Sequence, residues 1–251
     1  MARYKIVLAY DGTAFNGFQR QPGARTVQGE VEIALAGLGW HGEKILAAGR
    51  TDTGVHAAGQ VIAFDLDWMH PADELLRALN ATLPEDVAAR QVDRCPLDFH
   101  PRYDAQSRRY GYRLLQQPIR DPLRERYAWR VWPPLDLAHL NFLAGKLVGE
   151  HDFSGFGSPL KPGSSPVRKA LRADWKLDGQ DLFFEIEANA FLFRMVRRIV
   201  MAQVEVAAGR LSENDVDGYL SRRKPGMVQG LAPARGLTLL SVGYPASENK
   251  L

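Results

Sequence analysis

The order of strand-like and helical segments is the feature that most constrains this fold, because the order occurs twice. Hydrophobic periodicity from the N-terminus predicts a strand, a helix, two strands, a helix and a strand. After residue 105 the same order follows, with one additional helix. The two halves share no obvious sequence repeat, so the repetition lies in the order of the elements.

This order predicts an α+β architecture of two ferredoxin-like halves, at residues 1–104 and 105–251. Adjacent hairpin-type strands favour one continuous antiparallel sheet with helices on one face. We expect a central cleft where the halves meet. The predicted strands are 4–10, 44–49, 56–66, 87–94, 107–115, 170–178, 181–188 and 237–242, and the predicted helices are 26–38, 71–79, 137–147, 191–208 and 213–221. Residues 118–134 and 151–166 are expected to be loops.

Composition narrows the class of protein. The chain has one cysteine, Cys95, so it cannot form an internal disulfide framework, and we expect a cytoplasmic setting. No signal-peptide pattern or membrane-length apolar run is present. Phosphate-binding glycine loops, the nucleophile elbow of hydrolases and Cys/His metal patterns are also absent, so the sequence gives no support for a nucleotide cofactor or a metal.

The basic residues are informative through their distribution. The net charge of +3 is too small to prove nucleic-acid binding. Arginines nevertheless crowd four stretches, and arginine suits phosphate clamping and base stacking. These stretches are 102–130, 168–172, 194–198 and 222–224, the last of which also contains a lysine.

The stretch from Ala48 to Ala57 concentrates reactive groups between two strand-like segments. On extended backbone Arg50 and Asp52 point to the same side, which places a guanidinium beside a carboxylate. An Asp-Thr-Gly turn with a surface carboxylate is the simpler interpretation. His56, four residues further on, is by itself more often a hydrogen-bonded structural residue than a catalyst.

Two further groups carry both a structural and a functional interpretation. Arg108, Tyr110 and Tyr112 share one strand face, which is either a half-buried packing face or an aromatic platform for a base. On the predicted helix 191–208, an apolar stripe opposes an arginine face, which either contacts solvent or lines a cleft. The apolar residues are Leu192, Met195, Val196 and Ile199, and the arginines are Arg194, Arg197 and Arg198.

Seven stretches, in order along nearly the whole chain, resemble the tRNA pseudouridine synthase A family. The block at Gly49-Arg50-Thr51-Asp52-Thr53-Gly54-Val55-His56-Ala57 is the most specific of them. The others are Tyr10-Asp11-Gly12-Thr13 with Gln19-Arg20-Gln21, Phe99-His100-Pro101-Arg102, Arg109-Tyr110-Gly111-Tyr112, Glu150-His151-Asp152-Phe153-Ser154, Asn189-Ala190-Phe191-Leu192-Phe193-Arg194-Met195-Val196-Arg197 and Ala232-Pro233-Ala234-Arg235-Gly236-Leu237.

The resemblance implies a homodimer that needs no cofactor and acts on tRNA, at uridines 38, 39 and 40 of the anticodon stem-loop. It implies that Asp52 is the catalytic carboxylate and that Arg197 pairs with it. Tyr110 would stack on the base or assist proton removal from C5, and Arg50 would take the place of the flipped nucleotide. Leu237 would belong to the substrate-binding residues.

Two rival functions remain open from the sequence. One is an RNA-binding or RNA-chaperone protein with a vestigial site, against which the set of Asp52, Arg50, Tyr110 and Arg197 argues. The other is a metal-dependent phosphoesterase using Asp11 and Asp52. The shortage of further clustered carboxylates and histidines argues against that activity.

Overall fold

A computed structural model describes residues 1–161, 163–221 and 228–245. The basic stretch at 222–224 lies outside the described residues. The chain divides into two compact units, Met1–Gln106 with Leu239–Leu251, and Ser107–Thr238. The first division lies two residues beyond the expected one at 104, and the last strand from Leu239 onward belongs to the first unit.

The described residues form ten strands and five α-helices. The strands are β1 (Ala2–Tyr10), β2 (Leu46–Ala47), β3 (His56–Leu66), β4 (Val87–Cys95), β5 (Ser107–Leu115), β6 (Trp129–Arg130), β7 (Gly149–Asp152), β8 (Val167–Asp178), β9 (Asp181–Ala188) and β10 (Leu237–Gly243). The helices are α1 (Val27–Gly37), α2 (Ala72–Thr82), α3 (Leu137–Gly145), α4 (Met195–Ala207) and α5 (Glu213–Leu220).

In the first unit, β1 pairs antiparallel with β3 on one side and with β4 on the other. The side chain of Ile6 on β1 lies opposite Ile62 and Val92, and this register places one row of apolar side chains in the core. The short strand β2 pairs with β3, and β10 is the other neighbour of β3. A long central strand, β3, therefore leads directly out of the reactive stretch.

The helices of the first unit follow their sequence signals. Thr26 is the N-cap of α1, where its side chain accepts a hydrogen bond from the backbone N–H of Gly29. Leu75 and Leu79 of α2 are buried on one stripe, as the helical spacing predicts.

In the second unit, β5 pairs antiparallel with β9, β9 with β8, and β8 with β7. β6 pairs parallel with β5. Tyr112 of β5 lies opposite Phe184 of β9, and both side chains are fully buried. Gly179, with a φ of 65°, makes the tight turn between β8 and β9, where L residues with a Cβ are disfavoured.

β1 pairs antiparallel with β3 and β4, β2 with β3, β9 with β5 and β8, and β7 with β8, whereas β6 pairs parallel with β5; helices accompany both sets of strands. The α+β class is therefore confirmed. The ferredoxin-like halves, the continuous sheet, the placement of helices on one face and the cleft stay predictions. No helix in the described ranges is both long and apolar enough to cross a membrane.

Several predicted boundaries were wrong, and three of them bear on the site or on the strands around it. The long helix begins at Met195 rather than at 191, because Arg194 adopts a left-handed φ of 63°. The segment before it extends and bridges to Ser158, through the backbone N–H of Phe193. Residues 149–152, part of which was expected to be a loop, form β7. The strand expected at 44–49 is only two residues long.

Candidate active site

Asp52 lies at the first position of a tight turn. The backbone N–H of Val55 donates to the carbonyl oxygen of Asp52 at 3.1 Å, and Gly54 takes a φ of 75° within the turn. The side chain of Asp52 is half-buried, whereas that of Arg50 is exposed. The turn therefore holds a carboxylate at the protein surface with its backbone fixed.

Thr51 anchors the residue that precedes Asp52. Its side chain is buried, and its hydroxyl oxygen lies 2.8 Å from the phenol oxygen of Tyr10 at the end of β1. Its carbonyl oxygen accepts from the backbone N–H of Phe18 at 3.1 Å. Both the side chain and the backbone beside Asp52 are thus fixed from different segments of the first unit.

The segment 12–18 packs directly against the turn. A Cβ on residue 12 would lie 2.1 Å from the carbonyl oxygen of Val55, so the backbones approach so closely that only glycine fits. The N–H of Gly54 donates to the carbonyl oxygen of Phe15 at 3.3 Å. The motif around Asp11-Gly12-Thr13 and the Gly-Arg-Thr-Asp block, forty residues apart, therefore form one structure.

His56 follows the turn at the start of β3 and is buried. Its Nδ1 accepts a hydrogen bond from the backbone N–H of Gly12 at 3.0 Å. The Oδ1 atom of Asp11 lies 3.2 Å from the same nitrogen. That oxygen also accepts from the backbone N–H and the hydroxyl of Thr13. The structural interpretation of His56 is thus supported by its partners.

The strand-like residues before the block are held by β3. The N–H of Ala48 donates to the carbonyl oxygen of Val61 at 2.8 Å. The fully buried side chain of Gln60 donates through Nε2 to the carbonyl oxygen of Gly49 at 3.1 Å. Both ends of the reactive stretch are therefore tied to one rigid strand.

Glu32 is a buried carboxylate that the sequence analysis did not identify. It lies on α1, and its Oε2 accepts from Nη1 of Arg20 at 2.7 Å. Its Oε1 accepts from the side chain of Gln28 and the backbone N–H of Ile45. These contacts explain the motif Gln19-Arg20-Gln21: Arg20 holds that loop against α1. The sequence signal that could have identified Glu32 is its place beside the apolar positions of the helix α1.

Tyr110 belongs to the second unit, where it lies on β5. Its side chain is half-buried, and its ring contacts that of Phe191 edge to face, with centroids 5.0 Å apart and an interplanar angle of 85°. Tyr110 lies opposite the buried Ile186 of β9, on the same face as Tyr112. The face is therefore a packing face at Tyr112 and is more accessible at Tyr110, where the aromatic platform for a base stays a prediction.

Arg197 is placed by a segment far along the chain. It lies on α4, and its Nε donates to the carbonyl oxygen of Ala232 at 2.8 Å, while the N–H of Ala232 donates to the carbonyl oxygen of Arg197. The side chain of Arg197 is half-buried. The Nε edge of its guanidinium is thus hydrogen-bonded to the backbone, and this bond fixes the direction in which the rest of the group points.

The segment 232–237 is held from several sides. The phenol of Tyr112 donates to the carbonyl oxygen of Pro233 at 2.7 Å, and a Cβ on Gly236 would lie 2.6 Å from the Tyr112 ring. Nε of Arg235 donates to the carbonyl oxygen of Ala128. Burial raises the pKa of Tyr112 well above its usual value, so its phenol stays protonated and able to donate. Leu237, which follows, is buried.

The structure thus distributes the expected residues between the units. Asp52 and Arg50 share one loop of the first unit, and Tyr110, Arg197 and Leu237 belong to the second. Within the described part of the chain, no group of three or more His, Cys, Asp or Glu side chains is arranged to hold a metal ion.

Comparison with known proteins gives the class. The family model described as tRNA pseudouridine synthase matches residues 6–104 and 143–245. The chain belongs to this family of isomerases, which convert uridine to pseudouridine in tRNA.

Individual relatives in this family resemble the chain along nearly its whole length and share one name. The chain is 37% identical to tRNA pseudouridine synthase A of Limosilactobacillus fermentum over 254 residues, covering 99% of this chain and 98% of the relative. It is 39% identical to the protein of the same name from Listeria welshimeri, covering 97% of this chain and 100% of the relative. The corresponding protein of Brevibacillus brevis is 40% identical, with 97% of this chain and 100% of the relative covered.

Proposed function

We propose that this chain isomerises uridines 38, 39 and 40 in the anticodon stem-loop of tRNA, without a cofactor, with Asp52 as the catalytic carboxylate. The observation that carries the proposal is the fixed turn that presents Asp52. Residues on both sides of it are anchored, through Thr51 to Tyr10 and through Val55 to Gly12. A half-buried carboxylate with this support is suited to reach a flipped nucleotide without losing its position.

The reaction needs no external reagent. The N1–C1′ glycosidic bond breaks, the uracil turns, and C5 forms a new bond to C1′. C5 loses its proton to solvent or to a base, and N1 gains a proton, so atoms and electrons balance within the substrate and water. Asp52 would begin this sequence by attack at C1′ or C6, or by removing the C2′ proton. Each route needs an ionised carboxylate at the nucleoside.

Arg50 is the proposed partner of the RNA at this loop. Its side chain is exposed, two residues before Asp52. The target nucleotide must leave its stack, which costs a few kcal/mol. A guanidinium that occupies the vacated space and contacts phosphate offsets part of this cost.

The second unit would supply the remaining substrate contacts. We propose that Tyr110 stacks on the uracil, that Arg197 pairs with Asp52, and that Leu237 contacts the base. A free phenol has a pKa of about 10 and is a poor base at neutral pH, which favours stacking over proton transfer as the role of Tyr110. The arrangement requires two ferredoxin-like halves joined in one antiparallel sheet, with helices on one face and a central cleft.

We further propose a cytoplasmic homodimer. One subunit would hold the body of the tRNA while the other presents its site to the anticodon stem-loop. The single cysteine fits a reducing compartment. Light scattering at working concentration tests the assembly, and a monomeric mass would contradict it.

Tritium release tests the reaction. Unmodified tRNA with tritium at uracil C5 is incubated with the protein, and released tritium is counted with and without EDTA. We expect release from the anticodon stem-loop in both conditions. Loss of activity in EDTA would favour a metal mechanism, and no release from unmodified tRNA would refute the proposed activity.

Asp52→Asn tests the carboxylate. The neutral, nearly isosteric amide should abolish release while tRNA binding changes little. Asp67→Asn is the matched control, because Asp67 is 79% exposed just beyond β3. That variant should keep wild-type release. Full activity of Asp52→Asn would show that the catalytic assignment is wrong.

A further inference from the structure

His56 connects the strand after the catalytic turn to the segment that supports the turn. We propose that His56 is a positioning residue for Asp52, which acts through an unprotonated Nδ1. The inference rests on the proposed catalytic role of Asp52. It adds a function for the imidazole of the Gly-Arg-Thr-Asp block, which the reaction itself does not use.

The connection runs through three consecutive contacts. Nδ1 of His56 accepts from the N–H of Gly12 at 3.0 Å. Gly12 lies against the carbonyl group of Val55 at a distance that excludes any larger residue. The N–H of Val55 in turn donates to the carbonyl oxygen of Asp52. His56 therefore determines where Gly12 lies, and Gly12 limits where the turn can move.

The contact with Gly12 requires one particular tautomer of the ring. A backbone N–H can donate to Nδ1 only when that nitrogen carries a lone pair, so this contact needs a neutral imidazole with its proton on Nε2. Asp11 lies 3.2 Å from the same nitrogen, but an ion pair there would require a proton on Nδ1 and would displace Gly12.

Burial makes this contact consequential. His56 is 5% exposed, so water has little access to replace the acceptor if Nδ1 is removed. A buried N–H without an acceptor costs about 1–3 kcal/mol, and the segment would move to find one. Because Gly12 and Val55 are in contact, that movement reaches the turn and displaces the Asp52 carboxylate.

Two substitutions distinguish the role of Nδ1 from that of Nε2. Oδ1 of Asn can occupy the place of Nδ1, whereas the amide of Gln reaches the place of Nε2. We expect His56→Asn to keep the single-turnover rate of tritium release within about threefold, and His56→Gln to lower it by about tenfold or more, since small misplacements of a catalytic group are costly. Binding of tRNA, measured by filter retention, should change less than about twofold in both variants. Contacts that hold the bound tRNA equally well before and during the reaction do not depend on the position of the Asp52 carboxylate.

Comparable rates for His56→Asn and His56→Gln, with comparable melting temperatures, would overturn the proposal. So would a parallel loss of rate and of tRNA affinity, which indicates a general structural role. The wild-type protein provides a measurement that does not depend on a variant folding. Long-range ¹⁵N–¹H NMR should show His56 as the Nε2–H tautomer, and an Nδ1–H tautomer would also overturn the inference.

Failure of the proposed function is distinguishable from failure of this inference. A wild-type protein that releases no tritium refutes the activity. A wild-type protein that releases tritium, with an active His56→Gln variant, refutes only the role of His56.

Discussion

The phenol oxygen of Tyr10 lies 2.8 Å from the hydroxyl oxygen of Thr51, and the two side chains are 5% and 8% exposed. Tyr10 ends the first strand, and Thr51 immediately precedes Asp52. One buried hydrogen bond therefore connects the central sheet of the first unit to the proposed catalytic residue.

Tyr10→Phe removes this hydrogen bond and keeps the ring. The Thr51 hydroxyl loses a buried partner, so we expect unfolding to become easier by about 1–2 kcal/mol. We also expect slower single-turnover tritium release, since the residue beside Asp52 is held less firmly. Thermal melting and the tritium assay measure the two effects. Tyr103→Phe, at a site 71% exposed, is the control and should change neither. Identical melting of Tyr10→Phe and wild type would contradict the prediction.

Gly12→Ala tests the close approach of the two motif loops. The added Cβ would lie 2.1 Å from the carbonyl oxygen of Val55, so the backbone must shift. We expect a loss of stability of about 2 kcal/mol or more and a large loss of tritium release. Chemical denaturation followed by circular dichroism measures the first effect.

Gly37→Ala is the matched control for that variant. Gly37 is the last residue of α1, and a Cβ there meets no atom within 4 Å. Since alanine restricts the unfolded chain more than glycine does, this variant should be neutral or more stable by about 0.5 kcal/mol. A Gly12→Ala protein as stable and active as Gly37→Ala would show that the two loops can separate without consequence.

A pH-dependent contribution is expected from the ion pair of Arg3 and Asp65. The two side chains are joined by two hydrogen bonds, of 2.6 and 2.8 Å, across β1 and β3. The hydrogen bond from Arg3 holds the pKa of the Asp65 carboxyl below its usual value. Because the folded pKa is the lower one, the stabilisation is complete above the unfolded pKa of about 3.9 and is lost as the pH falls through the folded pKa.

Asp65→Asn tests this contribution. The variant should be less stable than wild type by about 1 kcal/mol at neutral pH, since the pair is partly exposed. The difference should begin to shrink as the pH falls below about 4, where the carboxyl of the unfolded chain takes up a proton, and should vanish below the lowered pKa of the folded Asp65 carboxyl. Asp73→Asn removes the exposed pair with Arg77 and should show little difference at any pH. A gap between Asp65→Asn and wild type that widens in acid would contradict the sign.

Sequence reasoning predicted the local elements best where short-range signals act alone. The strand 107–115 and the strand 181–188 have the predicted bounds. Thr26 caps α1 as its hydroxyl and position predict. In each case the signal, side-chain alternation or a capping oxygen, lies within the element itself.

The boundary of α4 shows where such signals fail. Apolar periodicity continues through Leu192, which is buried, yet the helix begins only at Met195. The bridge from Phe193 to Ser158 keeps the segment before the helix extended. The chain then changes direction at Arg194, which adopts a positive φ. A non-glycine residue in this conformation is imposed by a contact distant in sequence, which a local pattern does not contain.

The same distinction applies to the candidate site. The composition of the block pointed to Asp52 and Arg50, and the structure places both on one loop. The contacts of Gly12 with Val55 and of His56 with Gly12 depend on pairing across about forty residues. The buried Glu32 was missed because its partners Arg20 and Ile45 come from separate segments. Supporting contacts of this kind become visible only once the fold brings the segments together.

Tyr110 offers a test that separates base stacking from proton transfer. Its ring packs edge to face against Phe191, an arrangement that does not involve the hydroxyl group. Tyr110→Phe preserves the aromatic face, and Tyr110→Leu removes it. Loss of base–aromatic stacking costs about 1–3 kcal/mol, so Tyr110→Leu should lower the single-turnover rate of tritium release by roughly ten- to a hundredfold.

Tyr110→Phe should keep more than about a tenth of the wild-type rate, since general acid–base catalysis by the phenol would contribute about a hundredfold or more. Phe191→Leu, which leaves the Tyr110 hydroxyl but removes the ring that packs against it, should lower the rate by a smaller factor than Tyr110→Leu. A Tyr110→Phe protein that binds tRNA normally but is as slow as Tyr110→Leu would assign proton transfer to the phenol. The carboxylate of Asp52 would then not be the sole acid–base group of the reaction, and the pH profile of the rate would carry a basic limb that the Phe variant lacks.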